Sequence, residues 1–424
     1  MFKNYVRNRL EKLVRKYFKI HHPRLVVVVG AVGKTTTKTA IATVLSESLR
    51  VRMEDNNHNT DLSVPPALLG VRYPVGKVHS PLAWRRVFRA MKQRIKMPTD
   101  VDVIVQELGT DKPGEIAHFG TYLKADIAVV TAIAPEHMEF FGDLTAVARE
   151  ELAVGEFSDI TIVNRDDVDE KYAEYLQTDK VSTYGADVAA EYYFEYEEDD
   201  PLSGFNGHFI SPELGRVPAR VGLIGVHNLK AGIAAAAVAT KLGLSAEQIS
   251  RGLGKIKPVP GRMNVLCGVR GTSIIDDTYN SSPSAVKAAL QTLYQVEAPQ
   301  RIAILGSMNE LGETSPAAHA EVGEMCDPTL LEYVVTIGPM AEQYLAPAAK
   351  QKGNRVKSFI NPVEAGAFVN KIMQPGAVVL AKGSQNGVFA EEAIKVLLRT
   401  TADETKLVRQ SVEWMRLKRK LIDK

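Results

Sequence analysis

The chain has 424 residues, 45% hydrophobic and 24% charged, the composition of a globular protein long enough for two or three domains. A formal net charge of +2 gives no whole-molecule field for nucleic acid, so none is expected as a partner and any basic function must be local. Two cysteines, Cys267 and Cys326, exclude a disulfide framework and a zinc site of their own, and read as small buried apolar residues of a reducing compartment; with no bilayer-length apolar run and no signal peptide, a cytoplasmic location is expected.

Residues 1–24 place Phe2, Val6, Leu10, Leu13, Val14 and Phe18 at helical spacing, with lysines and arginines between them. The pattern predicts a basic amphipathic helix, packed on the domain with a solvated basic face or touching an anionic membrane or acidic partner. Trp84 to Met97 repeats it, with Trp84, Val87, Phe88, Met91 and Ile95 set against Arg85, Arg86, Arg89, Lys92, Arg94 and Lys96.

Between these helices lies the stretch around which the chain is organised, Leu25 to Thr37, LVVVVGAVGKTTT. An apolar strand runs into a glycine turn and a helix starting near Lys34. Gly30 and Gly33 can turn several N–H groups inward, and the helix adds its positive end, so the turn reads as a phosphate cradle. Lys34 is placed to reach the outer phosphates of a nucleotide, and Thr35, followed by Thr36, to offer a hydroxyl to Mg2+. Only Ala31 and Val32 separate the glycines, a short variant of the usual P-loop spacing.

A polar run, Asp55 to Asp61, reads as an irregular loop. Val101 to Leu108 reads as a strand that delivers Glu107 to its C-terminal end, where open α/β sheets gather ligands and a carboxylate can hold magnesium. A further strand, Asp126 to Ala132, leads to His137, expected beside Thr35 and Glu107. Ile160 to Val163 continues the alternation and argues a mainly parallel sheet. Glu195 to Asp200 reads as a solvated acidic loop, and Ala231 to Leu242 as an alanine-rich helix. Lys255 to Arg262, KIKPVPGR, reads as a linker. A second alternating unit follows, with strands at 273–277, 301–305, 333–337 and 377–381 and a helix after Pro283. No GxGxxG follows its strands, so NAD is not assigned, and the tail from Lys406 reads as a packed basic helix.

These motifs, in order from about Leu25 to Leu398, resemble the Mur ligases, and among them the MurF type. The carriers are GAVGKTTTK (30–38), VQELGTDKPGEI (105–116), IAPEHMEFFG (133–142), VHNLKAG (226–232), PGR (260–262), DDTYNSSP (276–283), LGSMNELGE (305–313) and KGS (382–384). The resemblance implies an α/β protein: residues 1–24 a basic helix, 25–260 a central P-loop ATPase domain with a mainly parallel sheet, and 261–424 a C-terminal Rossmann-like α/β domain.

It also implies chemistry. ATP phosphorylates a carboxylate, an amine attacks the acyl phosphate, and an amide forms as phosphate leaves, with closure of the C-terminal domain excluding water. In the MurF type the amine is D-alanyl-D-alanine and the acceptor a UDP-N-acetylmuramoyl tripeptide. By matching position, Gly30, Gly33, Lys34, Thr35 and Thr36 hold phosphates, Thr35 and Glu107 one Mg2+, and Glu107 and His137 a second. Asn228, Arg262, Asp277, Tyr279 and Asn280 match nucleotide contacts, and Asn309, Glu310, Lys382 and Ser384 lie where the amine is held. Glu151 stands where the family often has a carbamylated lysine, and is expected to supply that negative charge near the second metal. Other departures are Thr60 and Ser63 in the loop usually written NNEIG, Ala231 for an asparagine, and Ser307 for an aspartate. The domain that grips UDP in the MurF type has no counterpart before Leu25. The alternatives are therefore a ligase for a non-UDP or lipid-linked carboxylate, or a nucleotide-binding scaffold.

Overall fold

The computed structural model describes residues 2–54, 58–135, 137–197 and 200–422. Residues 55–57 of the polar run, Glu136, residues 198–199 of the acidic run and the last two of the tail lie outside the described residues. The chain divides into two compact units. The first comprises Met1–Glu197, Asn206–Gly222 and Asn228–Ile256; the second comprises Glu198–Phe205, Leu223–His227 and Lys257–Lys424.

The first unit is built on β1 (Arg24–Val29), β2 (Val51–Met53), β3 (Val103–Glu107), β4 (Ala125–Val130), β5 (Ser158–Asn164) and β6 (Val181–Tyr184). They form one sheet in the order β2-β3-β1-β4-β5-β6, with every adjacent pair parallel. Leu25 to Val29 are all fully buried, as expected of a central strand covered by helices on both faces. This order places the ends of β1, β3 and β4 side by side, at the edge where the glycine turn begins.

The N-terminal helix runs from Phe2 to His21 and belongs to this unit's core. Val6, Leu10, Leu13, Val14 and Tyr17 are buried against Trp84, Val87, Phe88, Met91 and Ile95 of the helix Pro81–Lys96. Both helices keep most of their basic residues outside, the arrangement their periodicity predicts. A separate three-stranded sheet, β7 (Tyr193–Tyr196), β8 (Phe205–Ser211) and β9 (Gly215–Val221), was not expected from the sequence. Its strands mix glycine, proline and charge among few buried positions, so no apolar run announces them.

The second unit carries β10 (Asn264–Cys267), β11 (Ser273–Asp277), β12 (Arg301–Gly306), β13 (Tyr333–Ile337), β14 (Arg355–Phe359) and β15 (Val378–Lys382), in the order β10-β11-β15-β12-β13-β14. β10 pairs antiparallel at one edge and the others are parallel. The helix Pro283–Gln295 starts as its sequence requires, with Ser282 accepting from Ala285 N and proline in the first turn. Two readings change. Cys326 is buried, but Cys267, at the edge strand, is exposed. The alanine-rich helix begins at Val226, five residues before the first residue assigned to it.

Candidate active site

At the end of β1 the chain turns through Gly30 and Gly33, with φ of 120° and 89°, and Gly33 caps the helix Lys34–Leu45. A Cβ on Gly30 would stand 2.4 Å from Thr131 Oγ1 and 2.8 Å from Ala132 N, so close packing against the β4 loop as well as the positive φ demands glycine. Lys34 Nζ folds back to donate to the Gly30 carbonyl, within the loop it would share with a phosphate. Ala31, Val32 and Gly33 therefore present a turn of backbone at the positive end of a 12-residue helix, the setting that suits an anion.

Thr35 and Glu107, 72 residues apart, meet here. Thr35 Oγ1 donates to Glu107 Oε2 at 3.0 Å, and both side chains are buried. Asn59 Nδ2 donates to the other Glu107 oxygen at 3.2 Å, and Lys38 Nζ lies 3.9 Å from the carboxylate while donating to Glu54 O. A hydroxyl and a carboxylate oxygen in contact beside a phosphate cradle are the hard donors magnesium takes, so the residues fit that ion. Among the described residues, no three His, Cys, Asp or Glu side chains form a ready metal cluster.

His137 follows β4 at φ 47° and its Nε2 lies 3.4 Å from Asp111 Oδ1, in the loop after β3. Glu151 is fully buried, and its Oε2 accepts from Gly30 N at 2.8 Å, tying the helix Leu144–Leu152 to the glycine turn. Its neighbour Glu150 points elsewhere, because adjacent helical residues diverge by about 100°. Glu150 accepts from Thr110 Oγ1, Gly114 N and Ile116 N at 3.0, 2.6 and 2.7 Å, holding the loop that follows Glu107. Sequence reasoning passed over Glu150, because which of two adjacent carboxylates takes which partner is decided by the fold. Asn228 is buried near the start of the helix Val226–Lys241 in this unit, and two residues on Lys230 donates to Asp167 Oδ2 at 2.9 Å.

In the second unit, Arg262 stacks 4.3 Å over the Tyr279 ring. Gly261 N donates to Asp276 Oδ2, Met263 N to Asp277 Oδ1, and Tyr279 N to the Gly261 carbonyl, so the PGR and DDTYN segments are stitched together. Burial pushes the Asp276 carboxyl up to about 7, against hydrogen bonds from Thr278. Lys382 Nζ donates to Asp277 Oδ2 at 2.6 Å and to Asn280 O at 2.9 Å. Lys382 is therefore turned inward, as is the fully buried Ser384, whose Oγ accepts from Asn309 N at 2.9 Å. Asn309 Nδ2 donates to Asn386 O, and Glu310 sits at φ 65°.

Two residues of this unit escaped the sequence reading. His319 is fully buried, accepts from Met308 N at Nε2 and faces Ser315 O through Nδ1, which makes it a neutral Nδ1–H tautomer bracing the Met308–Asn309 turn. Arg409 donates to both oxygens of Glu391 at 2.8 and 2.6 Å and to the carbonyls of Tyr279 and Thr278 at 2.9 and 2.5 Å.

Residues 28–239 match the Mur ligase middle domain, and residues 261–385 the Mur ligase, glutamate ligase domain. The chain belongs to the Mur ligase family. Mur ligases are ATP-dependent, ADP-forming ligases that use Mg2+, and this Mur ligase is an enzyme of that kind. It is 27% identical over 404 residues to the UDP-N-acetylmuramoyl-tripeptide–D-alanyl-D-alanine ligase of Bacillus subtilis, covering 92% of this chain and 79% of that protein. The Escherichia coli protein of the same name is 28% identical over 322 residues, 74% of this chain and 64% of its own. Among solved structures, Thermotoga maritima MurF in complex with ADP shares the fold, with a TM-score of 0.74 at 22% identity over 94% of this chain and 84% of that one. No helix of the described residues is long and apolar enough to cross a membrane.

Proposed function

We infer that this Mur ligase joins D-alanyl-D-alanine to the peptide carboxylate of a UDP-N-acetylmuramoyl tripeptide. The observation that carries the substrate is the extent of the match to ligases of that name, 404 residues spanning both units. What supports the chemistry is the contact of Thr35 with Glu107 at the rim of the glycine turn.

In this reading Gly30, Gly33, Lys34 and Thr36 hold the phosphates of ATP, and Thr35 and Glu107 hold Mg2+, which when bound offsets charge between ATP and the carboxylate. His137 orders the loops after β3 and β4 through Asp111. Glu151 acts on the cradle itself, holding Gly30 N–H while its charge adds to the acidic side of the site. Asn228, Arg262 and Tyr279 are the residues assigned to the nucleotide. Asp277, Asn280 and Lys382 set the shape of the Tyr279 loop, and Ser384 orients the Asn309–Glu310 turn toward the amine.

The test is phosphate release from Mg-ATP with UDP-N-acetylmuramoyl tripeptide and D-alanyl-D-alanine, each omitted in turn, with mass spectrometry of the product. Release that needs both, and a product heavier by the dipeptide, is expected. Lys34→Ala should lower turnover by at least about a hundredfold, the scale for losing one charge at a transferring phosphoryl group. Release independent of either substrate would sink the substrate assignment, and unchanged release in the Lys34 variant would sink the site.

A further inference from the structure

Outside the candidate active site, the most unequal distribution of charge in the molecule lies on two neighbouring helices of the first unit. Phe2–His21 and Pro81–Lys96 carry thirteen lysines and arginines and a single carboxylate, Glu11. Their formal charge of +12 exceeds the +2 of the whole chain, so the other residues are net acidic by 10. Glu11 is buried and already engaged by Arg7, Arg15 and His118. Arg85, Arg86, Arg89, Lys92, Lys96 and Lys12 are exposed, and among the described residues none of them has a carboxylate within 4 Å.

The two helices lie side by side and run the same way. Arg9 stacks 5.0 Å over the Phe88 ring near the middle of both, and His21 Nε2 lies 3.1 Å from Ile95 O near their C-terminal ends. The result is one basic face about 24 Å long, from sixteen residues at helical rise. Between the helices runs a groove of about 570 Å³, in which Phe2, Tyr5, Trp84 and Phe88 alternate with Arg9 and Arg89. The apolar stripes of both helices are spent on the core, so the face offers cations over a shallow aromatic floor.

What selects among anionic partners is the rim. Among the described residues, five of the fourteen exposed large apolar side chains belong to these two helices or their next residue: Phe2, Tyr5 and Leu82 at one end, Ile20 and Met97 at the other. A nucleic acid backbone would gain nothing from leucine, isoleucine and methionine placed there. A lipid headgroup layer takes both, cations against phosphate and short apolar side chains at the acyl boundary. We propose that the paired face of Phe2–His21 and Pro81–Lys96 is a docking surface for an anionic phospholipid bilayer, holding the ligase peripherally on the membrane. This goes beyond the ligase reaction and does not depend on which substrates it joins.

The experiment is flotation of the full-length protein with vesicles of phosphatidylcholine alone or mixed with phosphatidylglycerol. Binding is expected only to the mixed vesicles and should weaken as salt screens the charges. Arg85→Glu, Arg86→Glu, Arg89→Glu and Lys92→Glu combined, with the Gln version beside it, should bind at least about a hundredfold more weakly. Both should keep the parent's thermal midpoint and ADP affinity, because these side chains are exposed and outside the nucleotide machinery. Phe2→Ser with Leu82→Ser should lose vesicle binding several-fold while leaving retention on heparin unchanged. The proposal fails if the parent does not float with the mixed vesicles or if the charge-reversed protein floats equally well. It fails also if duplex RNA displaces the protein from vesicles and the Ser variant binds them as the parent does, which would assign the face to nucleic acid.

Discussion

A carboxyl group at the end of β11 sets a pH signature on the second unit. Asp276 is wholly buried and its pKa is raised from 3.8 to about 7 by that burial. Between these values the folded chain keeps a proton that the unfolded chain has released, so this group's contribution is fully present at acid pH and falls as pH rises toward 7. The difference amounts to a few kcal/mol across the window. Asp276→Asn cannot ionise and should flatten the change in urea midpoint between about pH 5 and about pH 8 relative to the parent. An unchanged slope in the variant would show that the carboxyl titrates normally. The residues that mark this site in the sequence, Lys34, Thr35 and Glu107, were legible because a glycine turn after an apolar strand and an acid at a strand end are local patterns. Glu150, His319 and the inward turn of Lys382 were not, because each is decided by a partner 11 to 105 residues away.

At the scale of elements, the strands that could be read were the buried ones. β1, β3, β4, β12 and β13 are short apolar runs, which parallel strands covered on both faces must be; β7 to β9 lack such runs. The basic pattern of the tail predicts a packed helix, and the structure makes Val412–Ile422 a strap as well. Lys418, fully buried, pairs with Glu391 and Glu392 at 2.8 and 2.6 Å, while Arg409 joins Glu391 to the Thr278–Tyr279 carbonyls. A buried lysine cannot be told from a solvated one by spacing alone. Arg409→Ala leaves Glu391 with one cation instead of two and frees the loop that stacks on Arg262. It should cost about 3 kcal/mol in urea unfolding and also weaken ADP binding, whereas a purely structural strap would leave the affinity of the folded protein unchanged. Isothermal titration of the folded variant separates the two.

For the whole molecule, a net charge near zero conceals a strongly polar object. With +12 on two helices and −10 on the remainder, the protein should bind a cation exchanger at its own sequence pI, about 8.3, where a uniformly charged protein would pass through. The charge-reversed quadruple variant should elute with the void, and retention of both proteins alike would argue that the face is screened. The segregation was visible in the sequence as two basic helical stretches; their convergence on one side of the sheet was not, since that needs the tertiary placement of helices 60 residues apart. Glu151 has a consequence of another kind. A carbamylated lysine exists only while carbon dioxide is available to form it and is lost when the gas is stripped away. In the reading proposed above, Glu151 supplies that negative charge as a residue of the chain itself, anchored to Gly30. The ligase should therefore turn over at an undiminished rate in degassed, bicarbonate-free buffer, and a rate restored by added bicarbonate would contradict that independence.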